Sequence, residues 1–327
     1  MNISDDSEFD TGSDTGHAFP LRRDVSVDQM DPAIREAMVS PATNTHADNE
    51  ILPRVADMHR QGRGLRSQSL VAREEQIRLL CSPVPYGTRK LCRIVRKRDG
   101  LAGGSHTYEV FIEEHNTVIP VLFAKKMRSQ TSCYIITLPS EGDRGVRNKS
   151  IARVRSNFLG TGFTVSSSIQ PSTNSDNMAE GRRELAAVVY EPNFLGHRGP
   201  RRMTIISPPL LPEGTLAEIR PLEEKETLLE RHKAMSDRDL VVMYNKSPKW
   251  SDETQSFVLD FNQRVTIASV KNFQIVHDHD LEYIVIQFGK VSDDTFTMDV
   301  QYPFSLVAAF GVVLTRFGSF VEMVTAV

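Results

Sequence analysis

The clearest pattern in this chain is a series of short β-strand signals that begins near Lys90 and recurs roughly every ten residues. The stretches are rich in β-branched and aromatic residues, alternate partly between apolar and polar positions, and are separated by Gly, Pro, Asn and Ser. The predicted strands are Leu91–Arg96, Thr107–Glu113, Val118–Ala124, Tyr134–Leu138, Ile151–Arg155, Phe163–Ser167, Leu185–Glu191, Met203–Ser207, Leu240–Tyr244, Ser256–Asp260, Ser269–Val276, Tyr283–Phe288 and Thr295–Val300. This number of regularly spaced strands predicts a β-sandwich or a β-barrel.

The last third of the chain adds a different pattern. Phe261–Ile275 and Tyr283–Met298 both have the composition of strands, whereas Tyr302–Thr315 is uncharged and apolar on every helical face. An all-round apolar helix is typical of a buried position. Many strands followed by such a helix indicate a helix enclosed by a sheet, whose outer surface can display basic side chains to an anionic partner.

The N-terminal part of the chain does not share the strand pattern. Residues 1–65 are rich in Asp, Ser, Asn, Thr and Gly and have few aromatics, so we predict that they are disordered. Residues 66–82 are a predicted helix or linker, in which Ser67–Leu80 either packs on the domain edge or binds a partner. A further surface helix is predicted at Glu223–Ala234, with Leu228 and Leu229 on its buried side.

Bulk composition narrows the class of protein. Hydrophobic residues make up 39% of the 327 residues, which fits a folded region with a disordered tail. No apolar run reaches the ~20 residues that span a bilayer, and the acidic, polar start is not the pattern of a signal peptide. The three cysteines, Cys81, Cys92 and Cys133, lack metal-ligand spacing and are expected to be reduced thiols of a cytoplasmic protein.

The net charge of −3 hides a strong asymmetry. Residues 86–203 contain 19 basic and 10 acidic residues, a net charge of +9, while the segments on either side are net acidic. An anionic partner would therefore be attracted to this middle segment. Within it, Arg89–Arg98 holds six basic residues in ten, which is either a contact patch or an edge strand protected by charge, and we favour the edge strand.

Catalytic patterns are absent from the sequence. We find no nucleophile elbow, no phosphate-binding glycine loop and no paired carboxylates or Cys/His pair at useful spacing, so no enzyme and no cofactor is predicted. The His277–Asp280 run, His-Asp-His-Asp, is interpreted as a polar turn between two strands rather than as a metal site.

From Val84 to the C-terminus the chain resembles the tubby C-terminal domain. The matching stretches are LFAKKMRSQTSCYIIT (122–137), ARVRSNFLGTGFTV (152–165), ELAAVVYEPNFLGHRGPRRMTIISP (184–208) and YNKSPKWSDETQSFVLDFNQRVTIASVKNFQIV (244–276). The resemblance implies that residues 84–327 form a mainly β domain, a closed twelve-stranded antiparallel β-barrel around a central hydrophobic C-terminal helix. That helix would be Tyr302–Arg316, with Pro303 in its first turn, where a missing N–H is tolerated.

The same resemblance implies binding of phosphoinositide headgroups, chiefly phosphatidylinositol 4,5-bisphosphate. Its signature lies on the strand of the R-S-N-x-x-G motif, where a basic residue stands two positions before the motif arginine. Here the motif arginine is Arg155, and the preceding basic residue is Arg153. Residues i and i+2 of a strand point the same way, about 6.6 Å apart, so Ala152 and Val154 are expected to face the core. Two outward guanidinium groups can then each hold a phosphate through paired hydrogen bonds.

Further contacts are carried over from the resemblance. Arg201, in GPRRM, takes the place of a third binding arginine, and Cys133 stands where the family has an asparagine, a departure that replaces an amide with a poor donor. Nearby basic residues would add general attraction to anionic lipid, namely Lys125, Lys126, Arg128 and Arg202.

The leading functional hypothesis is therefore a membrane-tethered adaptor that is cytoplasmic and peripheral on the inner face of the plasma membrane. By family association alone it would support delivery of membrane proteins to cilia through intraflagellar transport machinery. The alternative is nucleic-acid binding or transcriptional regulation by the basic face. The sequence argues against it, because it shows no basic groove lined with aromatic residues.

Overall fold

The computed structural model describes residues 66–98, 106–114, 117–141, 146, 149–169, 182–191, 202–235, 239–251 and 256–318. The predicted disordered region 1–65 lies outside the described residues. Among those described, no helix is both long and apolar enough to cross a bilayer.

The described residues form a closed antiparallel β-barrel of twelve strands, which confirms the predicted fold class. The barrel strands are β1 (Lys90–Arg98), β2 (His106–Glu114), β3 (Thr117–Lys126), β4 (Cys133–Thr137), β5 (Ala152–Ser156), β6 (Gly162–Ser167), β7 (Glu184–Tyr190), β8 (Met203–Ser207), β9 (Val241–Asn245), β12 (Phe273–His277), β13 (Asp280–Lys290) and β14 (Thr295–Val300). Around the barrel their order is β1-β14-β13-β12-β9-β8-β7-β6-β5-β4-β3-β2. Strands β10 (Lys249–Ser251) and β11 (Ser256–Val258) form a separate hairpin, so the predicted strand Ser256–Asp260 is not a barrel strand.

The barrel closes because β1 pairs with β14 on one side and with β2 on the other. The prediction that Arg89–Arg98 is an edge strand is therefore wrong. Acidic residues of neighbouring strands and turns neutralise its basic side chains. The ion pairs are Lys90–Glu114, Arg93–Glu113, Arg96–Asp294, Lys97–Glu109 and Arg98–Asp294. The basic side chains of β1 thus form ion pairs with neighbouring strands and turns, and they do not protect an open sheet edge.

Helix α3 (Leu306–Thr315) fills the barrel, and all ten of its residues are buried. It is shorter than the predicted Tyr302–Arg316, because Ser305 caps its N-terminus by accepting a hydrogen bond from the Ala308 N–H at 3.1 Å. Pro303 therefore lies in the turn before the helix and not in its first turn as predicted. At the other end, the Tyr190 hydroxyl and Thr315 Oγ1 are 2.6 Å apart, so the C-terminal end of α3 lies where β7 ends.

Two other helical regions pack outside the barrel. Helix α1 (Arg66–Cys81) buries Ile77 and Leu80 in the main core, which is the packing expected of a helix on the domain edge. The predicted helix Glu223–Ala234 is interrupted at Thr227, with a 3-10 turn at Glu224–Glu226 and helix α2 at Leu228–Lys233. Leu228 is fully buried and Leu229 is partly buried.

The stretch from Phe261 to Asn272 is not a strand, although its composition predicted one. Left-handed φ angles of 50° at Asn262 and 59° at Gln263 break the extended backbone. The segment packs against the outside of the barrel, where Arg264 donates to Asp299 at 2.8 Å and to Glu113 at 3.0 Å. Val265 packs over Gly289 on this outer surface, whereas Ile267 and Val270 are exposed. Strand β12 begins only at Phe273.

Candidate functional site

Strand β5 places two arginines on the outer face of the barrel. Ala152 and Val154 are fully buried in the core, and the residues between and after them, Arg153 and Arg155, point outward. Arg155 is exposed, whereas Arg153 is half-buried and its Nε has no hydrogen-bond partner. The inward and outward alternation expected from the sequence is therefore present at this strand.

A third arginine, Arg182, joins this outer face, and sequence reasoning missed it. Arg153 pairs with Ser166 of β6, and Ser166 pairs with Glu184 of β7. Arg182 lies two residues before Glu184 and is exposed. It is therefore displaced from Arg153 by two strand spacings and by two residues along the strand, about 12 Å in all. Burial, followed by the positive charges of Arg155 and Arg182, lowers the pKa of the Arg153 guanidinium. The two consecutive arginines just before β7, Arg182 and Arg183, were the available signal, but only the register reveals the proximity.

The three arginines differ electrostatically from the basic residues of β1. Five basic residues of β1 each pair with an acidic neighbour. Arg153, Arg155 and Arg182, in contrast, form no ion pair with any described residue. Holding like charges together costs free energy unless an anion neutralises them. We call this set, Arg153, Arg155 and Arg182, the arginine cluster, and its chemistry is that of a receptor for phosphate or another polyanion.

The structure distributes the other predicted site residues over several positions. Cys133 of β4 pairs directly with Arg155, and Lys125 of β3 pairs with Ile135, which in turn pairs with Arg153. Both therefore lie on the outer face beside the arginine cluster. Lys126 instead leans over the buried Tyr134 ring, with Nζ 5.9 Å from the ring centroid, and burial lowers its pKa.

Two more of the predicted residues, Arg128 and Arg202, lie at the barrel end defined by the C-terminus of α3. Arg128 is exposed in the β3–β4 turn. Arg202 precedes β8 and faces Glu191 at 3.7 Å, so its charge is partly neutralised. Arg201, the predicted third contact, lies outside the described residues.

The candidate metal ligands of the sequence lie far from this surface. His277–Asp280 covers the turn between β12 and β13, as predicted, at the end of the barrel opposite to the C-terminus of α3. Within the described ranges, no group of three or more His, Cys, Asp or Glu side chains is arranged to hold a metal ion.

The described residues form a closed β-barrel filled by its own helix. On one outer face it carries the arginine cluster, which forms no ion pair with any of them. The Tub family model matches residues 80–319, and the chain therefore belongs to the Tub family. This family is not known as one of enzymes.

Curated relatives have the same family name. Tubby protein homolog 1 of Caenorhabditis elegans is 44% identical over 237 residues, which cover 69% of this chain and 56% of that protein. Tubby-related protein 1 of Homo sapiens is 41% identical over 248 residues, covering 75% of this chain and 46% of that protein. Protein king tubby of Drosophila pseudoobscura pseudoobscura is 41% identical over 240 residues, covering 72% and 52% respectively. The chain thus spans about half the length of the curated relatives it matches.

Proposed function

We propose that this chain binds phosphoinositide headgroups of the phosphatidylinositol 4,5-bisphosphate type through the arginine cluster, and that this binding tethers it to the inner leaflet of a membrane. The observation that carries the proposal is the absence of any acidic partner, among the described residues, for Arg153, Arg155 and Arg182. Membership of the Tub family supports it, because members of this family are known to bind phosphoinositides.

The geometry suits a doubly phosphorylated ring. Arg153 and Arg155 lie about 6.6 Å apart along β5, so each guanidinium can donate paired hydrogen bonds to one of two neighbouring phosphates. The unpartnered Nε of Arg153 supplies a donor that is already desolvated. Arg182 approaches from the side of β7, and the outward Lys125 adds general attraction. Cys133 is a weak donor opposite Arg155, so recognition depends on the arginines.

Membrane tethering leaves the N-terminal region free to bind other proteins. The chain would then act as an adaptor, peripheral on the plasma membrane. The further role in delivering membrane proteins to cilia, through intraflagellar transport machinery, rests on family association, since residues 1–65 contain no convincing match to the N-terminal helix that this role requires.

A vesicle panel tests the headgroup proposal. We expect sedimentation with vesicles that contain phosphatidylinositol 4,5-bisphosphate at physiological salt, and weaker binding to vesicles with phosphatidylinositol monophosphates or with phosphatidylserine at equal surface charge. Equal binding to all anionic vesicles would contradict the proposal. The alternative function, nucleic-acid binding, predicts steeply salt-dependent binding to duplex DNA with no preference among the lipids.

The Arg182→Gln variant tests the residue that only the strand register revealed. We expect it to weaken binding to bisphosphate vesicles by about tenfold, since a hydrogen bond to a charged group contributes about 1.5–3 kcal/mol. Arg98→Gln is the matched control, because it removes the same charge from a side chain that is already paired with Asp294. Equal losses in the two variants would show that only net charge matters and would refute a specific role for Arg182.

A further inference from the structure

The turn between β5 and β6 holds two large apolar side chains in solvent. Phe158 is 78% exposed and Leu159 is 67% exposed, and they are the only adjacent pair among the strongly exposed hydrophobic residues that the structure describes. A single exposed apolar residue needs no explanation, but two adjacent ones at the tip of a turn have a free-energy cost in water. We call Phe158 and Leu159 the apolar tip.

The turn is ordered by its own hydrogen bonds. The Asn157 N–H donates to the Gly162 carbonyl at 2.8 Å, and Asn157 Oδ1 accepts from the Thr161 and Gly162 N–H groups at 3.0 and 3.2 Å. Gly160 supplies the left-handed conformation, φ +63°, that the chain needs to reverse. These hydrogen bonds fix the backbone that presents the two apolar side chains to solvent.

The apolar tip lies next to the arginine cluster. Only Ser156 and Asn157 separate it from Arg155, a distance of roughly 10 Å along the chain. The β3–β4 turn, which carries the exposed Arg128, is its neighbour, since Ser156 and Ser132 exchange two hydrogen bonds, at 2.9 Å each. Peripheral proteins bind anionic bilayers by inserting apolar side chains into the headgroup region, while neighbouring basic side chains are attracted to the lipid charge. Arginines beside a short apolar projection have this arrangement.

We propose that Phe158 and Leu159 insert into the bilayer, at the boundary between headgroups and acyl chains, when the arginine cluster binds a phosphoinositide. This inference rests on the proposed function and deepens it, because it makes the ligand a lipid in a membrane and not a free inositol phosphate. The headgroup contacts supply selectivity, and burial of the apolar tip supplies an additional free energy that no soluble headgroup can provide. Insertion of the apolar tip would also tilt the barrel so that the outer face of β5 turns towards the membrane.

The Phe158→Ser/Leu159→Ser double variant tests the insertion. We expect about a ten- to thirtyfold loss of affinity for vesicles with phosphatidylinositol 4,5-bisphosphate, given the apolar area removed. Calorimetric binding of soluble inositol 1,4,5-trisphosphate should stay unchanged. Leu281→Ser is the control, because Leu281 is 55% exposed at the opposite end of the barrel, and it should bind vesicles like the parent protein.

The outcomes separate this inference from the proposed function. If the double variant binds vesicles with the affinity of the parent protein, insertion is overturned, while the proposal of headgroup binding stands. A parallel loss of soluble trisphosphate binding also overturns it, because the tip would then act through the headgroup site. If the parent protein binds neither the trisphosphate nor the vesicles, the proposed function itself is wrong.

A spectroscopic measurement locates the tip directly. A Phe158→Trp variant adds an indole to a chain whose single tryptophan is Trp250. On vesicle binding we expect a blue-shifted emission relative to the parent protein, and quenching by lipids brominated on the acyl chains. Unquenched emission with vesicles bound would place residue 158 outside the bilayer and refute the insertion.

Discussion

The Arg153→Ala/Arg155→Ala variant should lose at least a hundredfold in affinity for vesicles that contain phosphatidylinositol 4,5-bisphosphate. Each guanidinium is expected to donate to one phosphate, and a hydrogen bond between charged groups contributes about 1.5–3 kcal/mol, while about 1.4 kcal/mol corresponds to a factor of ten. Stability should be preserved, because Arg155 is exposed and Arg153 forms no ion pair with a described residue. Vesicle sedimentation and thermal unfolding together measure both expectations.

A matched variant removes the same net charge elsewhere. Arg93 and Lys97 of β1 are also partly exposed, but they pair with Glu113 and Glu109. We expect Arg93→Ala/Lys97→Ala to bind vesicles within a few-fold of the parent protein, since these charges are already neutralised. If both double variants bind equally well, or lose binding equally, the arginine cluster is not the headgroup site.

The Gly311→Ala variant should destabilise the barrel by about 3 kcal/mol, the upper end of the range of about 1–3 kcal/mol that overpacking a core typically costs. Gly311 lies in the middle of α3, and a Cβ there would overlap both methyl groups of Val165 in β6, one of them at 2.9 Å. Carbon atoms in contact prefer about 3.5–4.0 Å, so the strand or the helix would have to move. Urea unfolding of the variant and the parent protein measures the loss.

A second substitution identifies the cause. Val165→Ala removes both overlapping methyl groups and leaves its Cβ at 3.3 Å from the added carbon. We expect Val165→Ala/Gly311→Ala to be less destabilised than the sum of the two single variants, with a coupling free energy of about 1–3 kcal/mol. Additive losses would mean that Gly311 is required for another reason, such as its effect on the helix backbone.

Local pattern was a good guide to the barrel because short runs of β-branched and aromatic residues, separated by Gly, Pro, Asn and Ser, mark the strands. Predicted and observed strands coincide at Met203–Ser207 and Thr295–Val300. The pattern failed at Phe261–Asn272, where Val265 packs over Gly289 on the outside of the barrel and Ile267 and Val270 are exposed, so none of them belongs to the core. It also failed at β1, since a basic strand looks like a protected edge until its acidic partners on β2 and the β13–β14 turn are known.

The candidate site was predictable only where it lies within one strand. Arg153 and Arg155 could be placed on one face, because their spacing alone determines it. Arg182 is separated from them by 27 positions or more in the sequence, and its proximity depends on the register of β5, β6 and β7. The apolar tip was missed for a related reason, as Phe158 and Leu159 resemble any apolar pair until their exposure is known.

The sequence by itself determined that this protein is a strand-rich member of the tubby family with an all-round apolar C-terminal helix and two outward arginines on one strand. These features depend on side-chain period and composition, which act over a few residues. The tertiary structure alone decided which cations have no acidic partner among the described residues, which strands adjoin, and which apolar side chains of that part of the chain face solvent. Those properties depend on barrel closure and strand register, which bring together residues that are far apart along the chain, and no local pattern encodes the distance between them.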